Sequence, residues 1–507
     1  MDCSSRQEEN YRGIDNISGV SCHISCALQL IYHTMPNLRN CLIEYYNGLS
    51  LLQRQLLEPI VSKEYQFLKD IASLFQEIHS TNNCRNNNIS IGCINPTPFY
   101  TTLQNCTKLN YSQVGDAATA LRTILSTIQS SCRGIASFIL KNIDTMDNDG
   151  KLLLLLKTVY RLNQILEKSL NGTIQQQIKS IQTKKEKKTN IVTTTIKKRP
   201  YKKRPLTHPL PLPVKHCYTI TEALQCALGH TKPIQNYTWK DKQDDIIETI
   251  TKIRDQTNDC SSSSSSSSDD DDSSIYSSAS SSSNDSSDSS SSSSSSAQDW
   301  KTYNYQTFHQ LPNHLILHLK RLEFTKESKK KLLTQKCNVP SMLNLSFLSS
   351  TTSTNEDKKY QLMGAIVHIQ PPPSMDSNEE EDGHYVAYIK KAKKDIYDTS
   401  LPLESLNLTP TNSNEWVHFD DENVSFIDAS NEKDLLHIFS GGNHQKAIFH
   451  RNTDTTPTND RPRKDGVACA TVLMYVRLHQ QPANYHLDIK NDAVTLQEIN
   501  EYYKNAK

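Results

Sequence analysis

Three side chains of this 507-residue chain can together perform nucleophilic catalysis: Cys22, His384 and Asp420. A cysteine nucleophile needs a histidine that takes its proton and a third group that fixes the tautomer and the angle of the imidazole. These partners can lie far apart in sequence, because the fold brings them together. The set predicts thiol chemistry with a triad in the order Cys, His, Asp.

The surroundings of Cys22 predict that it begins a helix. Gly19 permits a tight or left-handed turn, and Ser21 is a good N-cap for the apolar run at helical spacing that starts at Ile24. The unpaired N–H groups and the positive dipole end of a helix N-terminus favour a nucleophilic thiolate. The same stretch also fits a Cys22 that is only a buried small apolar residue. Cys26 is a second thiol, which we expect to be packed inside the helix.

His384 is the histidine that best fits the role of base. It begins a strand directly after Gly383, whose missing side chain leaves room for another backbone or an extended substrate. Asp420 follows Phe419 on the next strand-like segment, and neighbouring antiparallel strands can bring its carboxylate to the imidazole.

Other histidines remain alternatives, since the chain has 17 of them. His318, His368 and His418 each lie on a predicted strand beside aliphatic residues, where a hydrogen-bonded structural imidazole is the ordinary expectation. None of these three combines a preceding glycine with a carboxylate on the following strand.

The elements that must position this triad are helices first and strands later. Apolar residues recur every three or four positions over 22–80, and again in the segment that begins at Asp116. Alternating or continuous apolar runs predict strands at 311–324, 360–369, 384–390, 416–427 and 470–478. A helical first third followed by an antiparallel, strand-rich last third predicts an α+β fold.

Two segments in the middle of the chain differ sharply in composition. Residues 184–205 are basic and punctuated by proline, which we interpret as a linker or surface insertion that serves as a nuclear address, as a patch for an anionic partner, or only as a solvated insertion. Residues 260–297 are nearly all Ser and Asp, and we expect them to be disordered. Between the two, 209–214 predicts a strand, and a short helix follows near Thr221.

Composition excludes some classes of function. The 56 Lys and Arg balance 55 Asp and Glu, so net charge does not suggest nucleic acid. The longest aliphatic run, at 152–156, is too short to span a membrane. Thirteen cysteines without a CxxC pair favour a reducing compartment over a disulfide framework. We therefore expect a cytoplasmic or nuclear protein.

Six motifs in register resemble the ubiquitin-specific protease family of papain-like cysteine deubiquitinases. GVSCHISCALQ resembles that family's Cys box, and GHYVAY with FDDENV resembles its His box. LPNHLILHLKRLEF, YQLMGAIVHI and TVLMYVR are similar to its core strands, and Asp116 begins a segment similar to its QDAxEFLxxLL helix. The matches run in family order from about residue 13 to 478.

The resemblance implies a papain-like fold with a helical thumb and an antiparallel β palm. It divides the chain into an N-terminal tail (1–12), a catalytic domain (13–480) and a C-terminal tail (481–507). Within the catalytic domain it implies a thumb (13–175), reduced fingers (176–310) and a palm (311–480).

The resemblance also implies the site and its substrate. Cys22 is then the nucleophile, His384 the base and Asp420 the orienting carboxylate, with Asp421 in reserve. The substrate is ubiquitin, whose C-terminal Gly-Gly passes a narrow slot lined by Gly383 and Tyr385 while Asp116 meets basic residues of the tail. The implied reaction is thioester formation and hydrolysis of an isopeptide or peptide bond, with no cofactor.

The chain departs from the family pattern before and after the nucleophile. The family has an oxyanion-stabilising Asn five residues before the cysteine, where this chain has Ile17, and Asn16 lies one residue further away. A small bulge can restore Asn16 to that role. His23 replaces the usual Tyr, and Gly115 stands where Gln is expected.

The predicted fingers lack the family's zinc ligands. Ser180 and Thr183 occupy the first ligand pair, and neither hydroxyl is a normal zinc ligand. We therefore expect no structural zinc. Two alternatives to the deubiquitinase stay open: a weak or inactive relative that binds ubiquitin as a scaffold, and a protease for a ubiquitin-like modifier.

Overall fold

The structure is a computed structural model, and it describes residues 11–52, 63–80, 93–146, 150–185, 191–230, 245–253, 300–324, 330–349, 358–370, 383–391, 415–442, 467–478 and 494–505. The chain divides into two units. Unit 1 comprises residues 1–176, 202–231 and 306–507, and unit 2 comprises residues 177–201 and 232–305. The Ser/Asp tract at 260–297 lies outside the described residues.

The helices occur mainly in the first third of the chain. They are α1 (Cys22–Thr34), α2 (Pro36–Leu52), α3 (Lys63–His79), α4 (Thr97–Cys106), α5 (Ala117–Met146), α6 (Lys151–Leu170), α7 (Ile220–Ala227), α8 (Glu432–Ser440) and α9 (Leu496–Asn505). None of the helices within the described ranges is both long and apolar enough to cross a membrane.

The strands follow from residue 173 onward. They are β1 (Thr173–Lys185), β2 (Ile191–Lys198), β3 (Lys202–Pro205), β4 (Leu210–Leu212), β5 (Ile246–Ile253), β6 (Lys301–Gln310), β7 (His314–Leu319), β8 (Leu322–Phe324), β9 (Lys330–Leu332), β10 (Met342–Asn344), β11 (Lys359–Gln370), β12 (His384–Lys390), β13 (Trp416–Asp420), β14 (Asn423–Ile427) and β15 (Val467–Arg477).

Helix α1 is the centre of unit 1. All 13 of its residues are buried, because α2 and α5 pack on it from the helical side and β11 and β12 from the sheet side. A helix that is enclosed on all sides carries apolar or hydrogen-bonded residues around its whole circumference. The α+β fold class and the papain-like arrangement of a helical thumb against a β palm are thereby confirmed.

The palm sheet has the order β14-β13-β12-β11-β15-β7-β4, and β10 pairs with the first residues of β11. All pairs are antiparallel except β4 with β7. Strands β12 and β13 are direct neighbours, with Ala387 opposite Phe419. Because side chains alternate between faces, His384 and Asp420 point to the same face at one end of this strand pair.

Arg321 ties the palm sheet to the chain that covers it. Its buried guanidinium donates hydrogen bonds to the carbonyl oxygens of Leu333, Gln335, Ser440 and Ala470, at 2.8 to 3.0 Å. A buried cation is tolerated when its donors are satisfied in this way. Arg321 thus acts as an internal cross-link between segments that are distant in sequence.

Two predicted segments differ in the structure. The predicted strand at 416–427 is a hairpin of β13 and β14, because Asp421 adopts a left-handed backbone conformation with φ of 54° and turns the chain. The basic stretch at 184–205, expected to be a linker or surface insertion, contains strands β2 and β3. The β-branched run IVTTTI in β2 favours a strand, and β3 leaves all four of its side chains exposed, so its charges need no burial.

The predicted tails also contain packed residues. In the N-terminal tail, the Tyr11 ring stacks on His33 at 5.1 Å and Arg12 is buried. In the C-terminal tail, α9 packs on α5 and α6 and buries Ile499 completely in the thumb core. These residues therefore belong to the folded unit, and only 1–10, 481–493 and 506–507 of the predicted tails lie outside the described residues.

Unit 2 is built on long antiparallel strands. Strand β2 pairs with the second half of β1 on one side and with β5 on the other. Ser180, at a position where the family carries a zinc ligand, is buried and shares a hydrogen bond of 2.9 Å with the Thr302 hydroxyl. A pair of hydroxyls thus satisfies this buried position.

Candidate active site

Cys22 is the first residue of α1 and is 4% exposed. Ser21 occupies the predicted N-cap position, but its hydroxyl does not cap the helix; it donates instead to Asn16 Oδ1 at 2.8 Å. The N–H groups in the first turn of a helix have no acceptor within that helix. The N–H of Cys22 is one of these groups.

A turn before α1 absorbs the extra residue between Asn16 and the nucleophile. Gly19 has φ of 72°, a left-handed conformation that glycine adopts without strain, and its N–H donates to Asn16 O at 3.0 Å. Asn16 Oδ1 then accepts from the Ser21 N–H at 2.9 Å. The Asn16 side chain is therefore held one residue away from Cys22, although its sequence position is shifted.

His384 and Asp420 are in direct contact. His384 Nε2 lies 2.7 Å from Asp420 Oδ1 and 3.8 Å from Asp421 Oδ2. The contact with Asp420 requires the proton on Nε2, which leaves Nδ1 as the basic nitrogen. The pair has the arrangement expected of a base and its orienting carboxylate.

Cys22 contacts the palm at the residue after this histidine. The backbone N–H of Tyr385 donates to Cys22 Sγ at 3.4 Å. Only one carbonyl carbon separates that nitrogen from the His384 α-carbon, so the α-carbon lies within about 6 Å of the sulfur. The side chain of His384 thus begins close to the thiol.

Asp421 links the Cys22 side of the site to the His384 side. Its Oδ2 accepts from Asn16 Nδ2 at 2.9 Å, and its carbonyl oxygen accepts from the Ile14 N–H at 3.0 Å. Gly13 is needed for this approach, because a Cβ there would lie 2.3 Å from Glu422 O. The chain before α1 thus holds the turn that follows Asp420.

The Asp421 carboxyl lies in an unusual environment. Burial raises its pKa, and the charges of Glu422 and Asp15 raise it further, whereas His384 and the Asn16 amide lower it. Among the described residues, its Oδ1 has no hydrogen-bond partner. His384, Asp420 and Asp421 are also the only described group of side chains whose atoms are arranged as metal ligands, all within 4.8 Å of one another.

The three predicted substrate-binding residues lie around the same site in different roles. Asp116 caps α5, since its Oδ2 accepts from Thr119 N–H at 2.8 Å and from the Thr119 hydroxyl at 2.7 Å. Gly383 packs on a ring, because a Cβ there would lie 2.3 Å from His368. The predicted slot role of Tyr385 needs a correction for its ring, which is 2% exposed and buried between the palm and the start of α5. It is the Tyr385 backbone that faces Cys22.

Two of the departures from the family pattern compensate for each other. The His23 ring occupies the space beside Gly115, where a Cβ would lie 2.3 Å from His23 Nε2. His23 Nδ1 donates to Val20 O at 3.0 Å, and burial lowers the pKa of this histidine. Histidine at 23 therefore requires glycine at 115. Cys26 is 3% exposed, and burial raises its pKa, as expected for a packed thiol.

The alternative histidines make other contacts. His318 Nε2 lies 4.0 Å from Asp116 Oδ1, and His418 stacks on Tyr388 with Nδ1 3.2 Å from the Ser425 hydroxyl. His368 packs edge-on against Tyr385. The strand that contacts Cys22 Sγ is β12, which carries His384.

The comparison with protein families decides the identity of this fold. The family model of ubiquitin carboxyl-terminal hydrolases matches residues 12–475. The chain belongs to this family. The match begins at the chain segment that holds the Asp421 turn, ends in β15, and leaves α9 outside it.

Curated members of the ubiquitin carboxyl-terminal hydrolase family match part of the chain. Ubiquitin carboxyl-terminal hydrolase 9 of Saccharomyces cerevisiae is 29% identical over 157 residues, which are 30% of this chain and 16% of that protein. The probable ubiquitin carboxyl-terminal hydrolase creB of Aspergillus flavus is 29% identical over 167 residues, 33% of this chain and 15% of that protein. The matched parts thus cover about a sixth of these relatives.

Solved structures of the SAGA DUB module that contains Ubp8 are similar at low identity. The module bound to monoubiquitin gives a TM-score of 0.48 at 14% identity, over 94% of this chain and 71% of that chain. The module bound to ubiquitin aldehyde gives 0.47 at 15% identity, over the same shares.

Sequence reasoning missed the contacts that join the segment before α1 to the turn after Asp420. The contacts of Asp421 with Asn16 and Ile14 cross more than 400 residues of sequence. A signal for them was present in Gly13, since glycine before a catalytic segment often marks a close backbone approach. Its partner, the Glu422 backbone, could not be read from the sequence.

Proposed function

We propose that this chain is a thiol-dependent deubiquitinase that hydrolyses the isopeptide or peptide bond after the C-terminal glycine of ubiquitin. Membership in the ubiquitin carboxyl-terminal hydrolase family supports the substrate. The contact of Cys22 with the strand that carries His384, together with the pair of His384 and Asp420, supports the chemistry.

The first step of the proposed reaction activates the nucleophile. Asp420 accepts the Nε2 proton of His384 and so keeps Nδ1 basic and fixed in angle. Nδ1 then takes the proton of the Cys22 thiol. The Tyr385 N–H, 3.4 Å from the sulfur, stabilises the thiolate together with the N-terminus of α1.

The second step forms and then hydrolyses a thioester. The thiolate attacks the carbonyl carbon of the terminal glycine, and the oxyanion is met by the Cys22 N–H and by the second N–H of Asn16 Nδ2, whose first N–H binds Asp421. His384 Nδ1 gives its proton to the leaving amine. It then takes a proton from the attacking water, the bond between the carbonyl carbon and the sulfur breaks, and Nδ1 returns the proton to the sulfur, which restores the thiol.

Asp116 is the proposed contact for basic residues of the substrate tail. Both of its hydrogen bonds to Thr119 use Oδ2, and its side chain is 27% exposed. Oδ1 lies 4.0 Å from His318 and keeps lone pairs for an incoming cation. The cap fixes the carboxylate, so a bound arginine or lysine meets a charge that is already in place.

Turnover of a fluorogenic ubiquitin C-terminal amide tests the proposal. We expect the full chain to release the fluorophore, and we expect Cys22→Ala to abolish the release. Cys26→Ala is the matched control, because Cys26 is a buried thiol one turn further along the same helix, and it should retain activity.

The same assay separates the remaining alternatives. Binding of ubiquitin without turnover by the wild-type chain would favour the scaffold. Turnover of an amide of a ubiquitin-like modifier, without turnover of the ubiquitin amide, would favour a protease for that modifier. The triad itself argues for an enzyme, since a pure binding protein has no physical need for all three groups.

A further inference from the structure

The end of the palm sheet holds more negative charge than the triad needs. Asp420 and Asp421 are 7% and 9% exposed, and both face one imidazole. Asp15 and Glu422 lie close enough to act on Asp421 by their charges. The Asn16 amide that binds Asp421 is neutral and leaves this negative charge in place. Such a site favours a cation.

The donor atoms have the spacing that a tetrahedral metal ion requires. Nitrogen and oxygen ligands of Zn²⁺ bind at about 2.0 to 2.2 Å, which places two ligand atoms about 3.4 Å apart. His384 Nε2 lies 2.7 Å from Asp420 Oδ1 and 3.8 Å from Asp421 Oδ2, on either side of that value. All of the ligand atoms lie within 4.8 Å of one another, so shifts of up to about 1.5 Å convert the hydrogen-bonded group into a ligand set.

Asp421 supplies an independent observation. Its Oδ1 is buried and has no hydrogen-bond partner among the residues that the structure describes. A buried carboxylate oxygen without a partner is costly and marks a place where a ligand is expected. Asn16 binds Oδ2, the Asp421 oxygen that lies 3.8 Å from His384 Nε2, so Oδ1 is the oxygen that the amide leaves open.

We propose that His384, Asp420 and Asp421 bind a divalent transition-metal ion of the Zn²⁺ type, and that its binding blocks the nucleophile Cys22. An imidazole with two carboxylates is a ligand set that such ions accept, with water in the remaining position. The metal takes the Nε2 lone pair, and the imidazole proton moves to Nδ1. With Nδ1 protonated, His384 no longer accepts the thiol proton.

Calorimetric titration with Zn²⁺ alone tests the binding site without catalysis. The titrated protein is the full chain carrying Cys22→Ser, so that the nucleophilic sulfur contributes nothing. Asp421→Asn on this background should weaken zinc binding at one site by at least about tenfold, by analogy with the losses seen when groups around a metal are removed. His384→Gln should weaken it as well, and it decides the question if Asp421→Asn does not fold.

Asp116→Asn is the matched control. Asp116 also lies near a histidine, His318 at 4.0 Å, but in the described structure that pair forms no ligand group of the kind found around His384. Its substitution should leave zinc affinity unchanged. Equal weakening by Asp116→Asn, or no weakening by Asp421→Asn and His384→Gln, would overturn the proposed site.

The blocking of Cys22 rests on the proposed function, whereas the binding of the ion does not. We expect micromolar or tighter Zn²⁺ to stop turnover of the ubiquitin amide and a chelator to restore it. Zinc binding in the Cys22→Ser chain without any wild-type turnover would refute the enzyme while leaving the metal site intact. Turnover that is insensitive to zinc at saturating occupancy would refute the inhibitory role.

Discussion

Asn16 is the residue at which the sequence and the structure disagree most about catalytic power. Its position is one residue too far from Cys22 for the family pattern, yet its side chain makes three hydrogen bonds of 2.8 to 2.9 Å, two to Ser21 and one to Asp421. If its second N–H also meets the oxyanion, Asn16→Ala removes one oxyanion donor. Losing such a donor costs about 2.7 to 4 kcal/mol of transition-state stabilisation, a fall of about 10²- to 10³-fold in kcat.

The same substitution also has a cost in the resting protein. The hydrogen bond to the Asp421 carboxylate contributes about 1.5 to 3 kcal/mol, and each bond to Ser21 contributes about 1 kcal/mol. The three bonds together contribute about 3.5 to 5 kcal/mol, and water replaces part of this at the half-buried site, so urea unfolding should report a net loss of about 3 kcal/mol. The two effects are separable, because kcat is measured on the fraction that remains folded.

Steady-state kinetics on the fluorogenic ubiquitin amide, with urea unfolding in parallel, is the assay. Asn95→Ala is the control, since Asn95 Oδ1 likewise accepts from a backbone N–H and a hydroxyl, both of Thr97, at an exposed position. We expect kcat to fall at least a hundredfold in Asn16→Ala with little change in KM. A fall of less than tenfold in a folded protein would refute the oxyanion role and leave Asn16 as a structural link only.

Three further predictions concern stability and are measured by urea unfolding. Arg321→Met should lower the free energy of unfolding by at least about 3 kcal/mol, because four buried carbonyl groups lose a charged donor. The control Arg133→Met, at a surface ion pair with Glu167, should change it by less than about 1 kcal/mol. Equal losses in the two variants would contradict the role of Arg321 as a cross-link. Ile499→Ala should lower the free energy of unfolding by about 2 to 4 kcal/mol if α9 belongs to the thumb core. Leu496→Ala, at a residue of the same helix that is 37% exposed, should lower it by less. No loss at Ile499 would show that α9 does not dock. Burial lowers the pKa of His314 to about 4, so the unfolded chain binds more protons than the folded one, and the free energy of unfolding falls as the pH drops from about 6.5 towards 4. His314→Gln should flatten this pH dependence. An unchanged slope would exclude His314 as its source.

Local pattern was sufficient for the elements that carry the triad. Helix α1 begins at Cys22 because Gly19 makes the turn and an apolar run follows, and β12 begins at His384 because aromatic and β-branched residues follow Gly383. Once β12 and β13 are strands, their pairing accounts for the contact of His384 with Asp420. This part of the site needed only short-range signals and one antiparallel pair.

The elements and contacts that sequence analysis missed are of two kinds. Some depend on contacts between residues distant in sequence, and others have a local pattern that neighbouring charged residues made hard to recognise. Strand β2 has a β-branched run, but its lysines suggested a solvated linker. Helix α9 has a capping box, in which Thr495 N–H donates to Glu498 at 2.8 Å and Glu498 N–H donates to the Thr495 hydroxyl at 3.2 Å. That signal was in the sequence. The link from Asn16 to Asp421 was not, because it needs both the turn at Gly19 and the positive φ of Asp421.

The central claim is that Cys22 is the nucleophile and that His384 activates it. Mapping the adduct formed with a ubiquitin that carries an electrophile at its C-terminus tests this claim most directly, since the other 12 of the chain's 13 cysteines are internal competitors. The account predicts a single adduct on the Cys22 sulfur, formed at least about a hundredfold more slowly in His384→Gln. An adduct on any other cysteine, or the same rate on Cys22 without the imidazole, would contradict it.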